Sequence, residues 1–339
     1  MEEKKRLYDI DPKSWEHPAD RAALVALKQL SGFDEVVRLI IGFTSEKSLR
    51  LLSMASAVRV SDRQFPRVKR LLEDACYILD WSEKPEVFVA QSPLLNAGTI
   101  GVERPFITIN SSLVHSLGDD ELLAVIAHEV AHIMSGHGLY KTLLWLLVKI
   151  TLSAYRMRIP NIALQGIIGA LREWDRKSEL SADRASLLAV QDAGVVYSLL
   201  MKMAGGTEGE LVLEEFLVQA EEYERDGTII DSVHKLLNTI DEGYPFPVIR
   251  LKELKVWKDG GVFDEMVGGN YRRRGERSDP KEELDEALKE YREQLSRTKD
   301  PLGELINKIG NVAGEAGKTA SRQAEEFLKN IFGGGNQDR

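Results

Sequence analysis

Cysteine is nearly absent. The 339 residues contain one, Cys76, in LLEDACYILDW. A single cysteine excludes an internal disulfide and any cysteine-rich zinc ribbon, and it fits a reducing compartment, read here as the cytoplasm. Cys76 falls on an apolar helical pattern and reads as a core residue. Long apolar runs are also missing. A spanning helix needs about 20 uninterrupted apolar residues. The nearest stretch, LYKTLLWLLVKITLSAY (139–155), has no pure run longer than Leu143–Val148, and Lys141 and Lys149 bracket it. The N-terminal MEEKKRLYDIDPKSWEH shows neither an apolar run nor a small-residue cleavage site, so no signal peptide is expected. Positive charge is not in excess. Lys and Arg number 45 against 54 Asp and Glu, a net charge of −9, which argues against nucleic-acid binding as a whole-chain property. With 43% hydrophobic and 29% charged residues the balance is that of an ordinary globular protein, long enough for one large domain or two small ones.

Periodicity organises the chain. Residues 19–83 show mostly helical spacing. PEVFVAQ (85–91) and RPFITIN (104–110) are short, β-rich and bounded by Pro, Gly or Asn, which predicts strands, and NAGTIGV (96–102) reads as an edge strand or hairpin arm. GDDELL places acids in a first helical turn and predicts a helix from about Asp119 to Gly136 or Gly138. A long helical stretch follows, broken by Pro160 and ending near Gly194, and 210–240 reads as helical again. The Gly-rich 256–280 reads as a partly ordered linker before two polar helices and a GGGNQDR tail. The expected division is a helical segment at 1–60, a catalytic unit at 61–255, the linker at 256–280 and charged and amphipathic helices at 281–339.

Histidine is also scarce, yet three of the six fall at 128, 132 and 137, within LAVIAHEVAHIMSGHG (123–138). Residues four apart on a helix are offset by only about 40°, so His128 and His132 project side by side and can chelate one ion. Glu129 points toward the same side. On so apolar a helix, with Leu122, Leu123, Val125, Ile126 and Val130 around it, a buried His-Glu-His face leaves a charge unpaired unless a metal or another partner is present. His137, five residues past His132, is turned away from the pair on a continuous helix and reads as no ligand. In DRKSELSADRAS (175–186), Glu179 and Asp183 stand four apart. Alone, such a pair is usually a solvated helix face. Beside H-E-x-x-H it offers a third metal ligand and a carboxylate to orient a histidine.

HEVAH followed some fifty residues later by ELSAD resembles the M48 family of zinc metalloproteases, the group of the CAAX prenyl proteases and HtpX. The likeness covers roughly residues 60–255, and includes NAGTIGVERPFITINSSL and nearly all of DDELLAVIAHEVAHIMSGH. The resemblance implies an α+β, predominantly α-helical fold: a zincin-type domain with a small β-sheet beside the active-site helix. It implies one Zn2+ per chain held by His128, His132 and Glu179, with Glu129 as general base, Asp183 behind the ligands, and Asn96 and Ala97 as the edge-strand pair that binds substrate. Asn96 can equally be a turn residue before Gly98. Where the family often carries a histidine and an arginine near the metal, this chain has GYPFPVIRLKEL (243–254), with Arg250 at the arginine and Tyr244 at the histidine. The Tyr244 hydroxyl can donate to an oxyanion or simply pack beside Pro245.

The expected activity is zinc-dependent endoproteolysis of unfolded or membrane-associated polypeptides. The alternatives are a catalytically silent scaffold, against which the intact Glu129 argues, and a zinc hydrolase of another small amide. Between Glu129 and Glu173 there is no acid, whereas Lys141, Lys149, Arg156, Arg158 and Arg172 are basic and Leu143 to Leu147 are apolar. Residues 139–172 therefore predict either a peripheral membrane-facing surface or ordinary core with solvated cations. PLGELINKIGNVAGEAGKTASRQAEEFLKNIF (301–332) has a thin amphipathic stripe and predicts a helix that orders against a protein partner or through weak, packing-sensitive lipid contact.

Overall fold

The computed structural model describes residues 4–28, 33–34, 36–38, 46–154, 162–207, 209–225 and 246–276. Among the described residues the chain runs first through α1 (Pro18–Lys28), α2 (Glu46–Ser56), the strand β1 (Ala57–Arg59) and α3 (Pro66–Ile78). Strands β2 (Glu86–Ala90), β3 (Ala97–Ile100) and β4 (Phe106–Asn110) follow, then α4 (Ser111–Ser116) and α5 (Asp119–Met134), the H-E-x-x-H helix. Next come α6 (Gly138–Ala154), α7 (Ile162–Val190), α8 (Ala193–Met203), α9 (Leu213–Arg225), α10 (Pro247–Asp259) and α11 (Val262–Val267). The chain is thus α+β and predominantly helical, with one small sheet among the described residues.

That sheet has the order β1-β2-β4-β3. β2 and β4 run parallel, Val87 beside Ile107, while β1 and β3 pair antiparallel on the two outer sides. β3 is therefore a terminal strand, as an edge assignment requires. The expected strands lie where the alternation put them. β1 was not expected, because three residues, AVR, are too few to show a period of two inside a helical surround.

Val87, Val89, Ile107 and Ile109 enter one core with Val68, Leu71 and Leu72 of α3 and with Leu122 and Ile126 of α5. The helix that carries the metal motif is thereby fixed to the sheet. α7 packs against this helix, and both helices carry small buried residues, Ala124, Ala127 and Ala131 on α5 and Ser178, Ala182, Ala185 and Ser186 on α7. Ser186 Oγ donates to the Ala124 carbonyl at 2.9 Å. Small side chains allow two helices to approach closely, and that approach brings α7 carboxylates to the imidazoles of α5.

The N- and C-terminal parts of the described chain pack on this body. Leu7, Ile10 and Trp15 are buried in the same core. Leu7 N–H donates to Ile78 O at 2.8 Å, Arg274 N–H to Asp9 O at 2.7 Å, and Ile10 bridges Arg273. The stretch read as a linker from 256 is consequently ordered through residue 276, including the end of α10 and all of α11, with Trp257, Phe263 and Met266 buried. Its glycines cap helices instead of loosening the chain: Gly261 (φ +87) precedes α11 and Gly269 (φ +99) follows it. Gly194, expected at a helix end, lies at the start of α8. Of 210–240, residues 213–225 are helical and 226–240 lie outside the described residues, as do Pro160 and all of 277–339 with the expected helix at 301–332.

Trp15 is fully buried, and its indole N–H reaches Ser135 Oγ at 3.3 Å, just past the end of α5. Trp15→Ala should lower the unfolding free energy by about 3–5 kcal/mol, the cost of deleting a buried aromatic. Denaturant titration reads this directly. A change below 1 kcal/mol would show that residues before α1 add nothing to the stability of this body.

Candidate metal centre and active site

The sequence H-E-V-A-H sets two imidazoles on one face of α5, one turn apart, both buried. Across the Ala/Ser contact, α7 presents Asp175, Glu179 and Asp183 at intervals of four. His128 Nε2 lies 3.1 Å from Glu179 Oε2 and 3.1 Å from His132 Nε2, and His132 Nε2 lies 3.1 Å from Glu179 Oε1. One ligand atom from each of the three residues falls within 4.8 Å of every other. A tetrahedral ion with bonds of about 2.0–2.1 Å holds its donors roughly 3.3 Å apart, so these nitrogen and carboxylate donors fit one small divalent ion.

The rear of each donor is also held. His128 Nδ1 faces Asp183 Oδ1 at 3.1 Å, a placement from which the carboxylate can orient that imidazole. Arg250, on α10 and buried, donates from Nε and Nη2 to the two Asp183 oxygens at 2.7 and 2.6 Å, and its Nη1 lies 3.2 Å from Glu179 Oε2. Arg250 thus grips both carboxylates. His132 Nδ1 is 2.9 Å from His137 Nδ1. His137 is no member of the donor set, yet it is not turned away either. α5 stops at Met134 and Gly136 is left-handed (φ +69), which swings His137 back under His132.

Glu129, the next residue round α5, is buried, and burial raises its carboxyl above the usual range. Thr99 of β3 is its partner: the hydroxyl lies 2.8 Å from Glu129 Oε2 and 3.1 Å from its backbone carbonyl. A carboxylate held by one hydroxyl beside the candidate metal site, with its proton affinity raised, is suited to accept a proton. Asn96 and Ala97 lie at the start of the same strand, with Asn96 O accepting from Asn110 N–H at 2.8 Å and Ala97 opposite Ile109. These residues and Glu129 line one cleft of about 590 Å³, whose wall also includes Trp145, Val196, Leu200 and Met203.

Residues 62–258 match the family model described as Peptidase family M48. The chain belongs to this family. It is a metallopeptidase. Over 266 residues it is 33% identical to the plastoglobule-localized metallopeptidase 48, chloroplastic, of Arabidopsis thaliana, covering 76% of each chain. Over 62 residues it is 39% identical to protease HtpX of Shewanella pealeana, 18% of this chain and 22% of that one. HtpX of Stenotrophomonas maltophilia is 37% identical over 54 residues, 15% of this chain and 19% of that one. No solved structure matches the chain significantly. Among the described residues no helix is long and apolar enough to cross a membrane.

This M48 chain departs from the sequence reading at Lys141. Counted there among outward-facing cations, it turns inward. Its Nζ donates to Asp175 Oδ1 at 2.6 Å and Glu179 Oε1 at 2.7 Å. Burial by itself would lower the ammonium, but Asp175 and Glu179 outweigh it and raise it. Burial likewise acts to raise Glu179, and Lys141, His128 and Arg250 overcome it and hold the carboxyl well below the usual range. Burial lowers His128, and Glu179 with Asp183 reverses that and pushes it up to about 9. Burial, helped by Lys141, keeps His132 well below its ordinary value. Of the other residues of 139–172, Leu143 and Leu147 are buried, Leu144, Trp145 and Leu146 half-buried and Lys149 exposed, while Arg156 and Arg158 lie outside the described residues. So does Tyr244. Thr99, Lys141 and Asp175 were missed as site residues. A signal did exist for the last two, since a lone lysine in an apolar helix and an acid four residues before Glu179 are natural ion-pair partners, here half-buried.

Lys141→Met removes the ammonium shared by the half-buried Asp175 and the buried Glu179 and should cost up to about 3 kcal/mol of stability, the lower end of the range for breaking a buried ion pair, because Asp175 keeps part of its hydration. Asp175→Asn added to it should cost less than the sum of the two single changes. A Lys141→Met variant within about 0.5 kcal/mol of the parent, the range of a surface substitution, would contradict the inward placement.

Proposed function

We propose that this protein is a zinc-dependent endopeptidase whose ion is held by His128, His132 and Glu179, and whose general base is Glu129. The single observation that carries the reading is the convergence of two Nε2 atoms and a carboxylate at mutual distances of 3.1 Å, with Glu129 one residue away. A zinc ion held by His128, His132 and Glu179 would supply a Lewis acid that lowers the pKa of water and polarises a carbonyl. The protein's own groups do the rest. Glu129 takes the proton from the attacking water and returns it to the leaving amine. Thr99, donating to Oε2, holds that carboxylate in one orientation. Arg250 and Asp183 act behind the ligands, Asp183 orienting His128 and Arg250 neutralising both carboxylates.

The substrate in this proposal is a polypeptide that can be drawn out as a strand. An extended segment laid along β3 at Asn96 and Ala97 gains backbone bonds with little sequence selectivity. Apolar cleft residues such as Leu200 and Met203 favour hydrophobic side chains, as exposed by unfolded or membrane-associated proteins. Peripheral lipid contact through 139–172 belongs to the same proposal, now with Lys149 in place of Lys141 as its described exposed cation. The Arabidopsis relative is named as plastoglobule-localized. A single buried cysteine is compatible with a cytoplasmic location for this chain.

Glu129→Gln should retain stoichiometric zinc and lose casein hydrolysis by at least about 100-fold, since general-base catalysis contributes roughly 10²–10⁴. A chelator should abolish the wild-type rate and added zinc should restore it. Wild-type turnover in Glu129→Gln, or hydrolysis indifferent to the chelator, overturns the mechanism.

A further inference from the structure

The two histidine ligands are supported in different ways. His128 meets a carboxylate directly. His132 meets another imidazole, and the contact is built by the helix terminus. The chain leaves α5 through paired bonds, Gly136 N–H to Ile133 O at 3.1 Å and His137 N–H to His132 O at 2.9 Å, around the left-handed Gly136. This is the Schellman arrangement, which brings the residue after the glycine against the side chain five positions earlier. That contact is commonly apolar. Here it joins the rings of His137 and His132 at 2.9 Å, Nδ1 to Nδ1. Gly138 then fixes where the chain goes next, since a Cβ there would lie 2.5 Å from the Gly101 carbonyl.

The far side of His137 meets α1. His137 Nε2 is 3.2 Å from Asp20 Oδ2, and Ser181 Oγ of α7 donates to the same oxygen at 2.6 Å. Ser181 in turn accepts the N–H of His17 at 2.8 Å, at the start of α1. His132, His137, Asp20 and Ser181 are all buried, between 0% and 3% exposed. No water is needed to complete the chain. Asp20 lies well before residue 62, where the match to the family model begins.

Hydrogen-bond chemistry then permits one arrangement. A metal at His132 Nε2 needs that nitrogen's lone pair, so the neutral ring carries its proton on Nδ1. Nδ1 of His137 must accept it, which puts the proton of His137 on Nε2. That N–H needs a buried acceptor, and Asp20 is it. We propose that His137 and Asp20 are positioning residues for the metal ligand His132, Asp20 fixing the tautomer of His137 and His137 fixing the tautomer and ring angle of His132. The N-terminal helix α1 is on this account a working part of the metal centre. The inference rests on the reading of His128, His132 and Glu179 as the metal site.

The test uses the full-length, zinc-loaded protein. Nitrogen-15 NMR of the imidazoles should find His132 protonated on Nδ1 and His137 on Nε2. His137 protonated on Nδ1 in the wild type overturns the proposal without any variant. Zinc affinity, read by chelator competition, should fall about 10–100-fold in Asp20→Asn and in His137→Phe, the range for loss of a group behind a metal ligand. Circular dichroism of both metal-free variants should match the wild type, which separates positioning from folding. His128→Ala serves as the reference. If it loses zinc while Asp20→Asn and His137→Phe bind at wild-type affinity, the relay is wrong and the metal site stands. If His128→Ala keeps its zinc, the site assignment fails and takes the relay with it.

Discussion

The carboxylate of Glu179 is enclosed by His128, His132, Lys141 and Arg250, and the surrounding helices are arranged to make that enclosure possible. A buried carboxylate without compensation costs many kcal/mol, and supplying it with two imidazoles and two cations draws on α5, α6 and α10 at once. Each contributor is itself balanced: Lys141 by Asp175, Arg250 by Asp183, His128 by Asp183. The result is a network in which removal of one charge leaves another buried and unpaired. It also presets the site for a dication, since the donor atoms already stand close to the spacing of a tetrahedral ion and have little left to reorganise.

How much of this could be read from the chain follows from the range of each signal. The motif helix, the strands at 86–90 and 106–110 and the Glu179/Asp183 pair were legible because their information is local: a period of 3.6 or 2, or a spacing of four. The α5–α7 contact was written in the sequence as well, in the alanines and serines that alternate with the site residues, but such residues read as helix formers until a second helix is laid against them. Lys141 was misread because an isolated lysine on an apolar helix looks like the bracket of a surface patch. Its partners, Asp175 and Glu179, are more than thirty residues away in sequence. His137 was judged from the geometry of a continuous helix. Gly136 ends that helix, and a single left-handed residue converts a side chain pointing away into one pointing back. Asp20 and Thr99 carried no spacing signal at all, since they meet the motif helix only through tertiary packing.

The same geometry explains why catalysis can sit beside so dense a charge cluster. Glu129 is adjacent in sequence to His128, yet its carboxylate takes its hydrogen bond from the Thr99 hydroxyl and neither guanidinium nor ammonium donates to it at hydrogen-bond range among the described residues. Burial then raises its proton affinity, while the cations draw Glu179 in the opposite direction. Under the proposed mechanism, the two glutamates of one cleft become base and ligand through the neighbours each is given. In that proposal β3 would link this division to substrate, because the strand that carries Thr99 is the terminal strand of the sheet, with Ala97 opening it and Asn96 just before it at the cleft wall.

The central claim is the identity of the three metal donors. X-ray absorption at the zinc edge on the purified, zinc-loaded protein measures it most directly. The account predicts one zinc per chain with two imidazole nitrogens and oxygen ligands, all at about 2.0–2.2 Å, and no sulfur. A third imidazole in the first coordination sphere would place His137 among the ligands, and a sulfur at about 2.3 Å would place Cys76 there. Either result would contradict the site built on His128, His132 and Glu179.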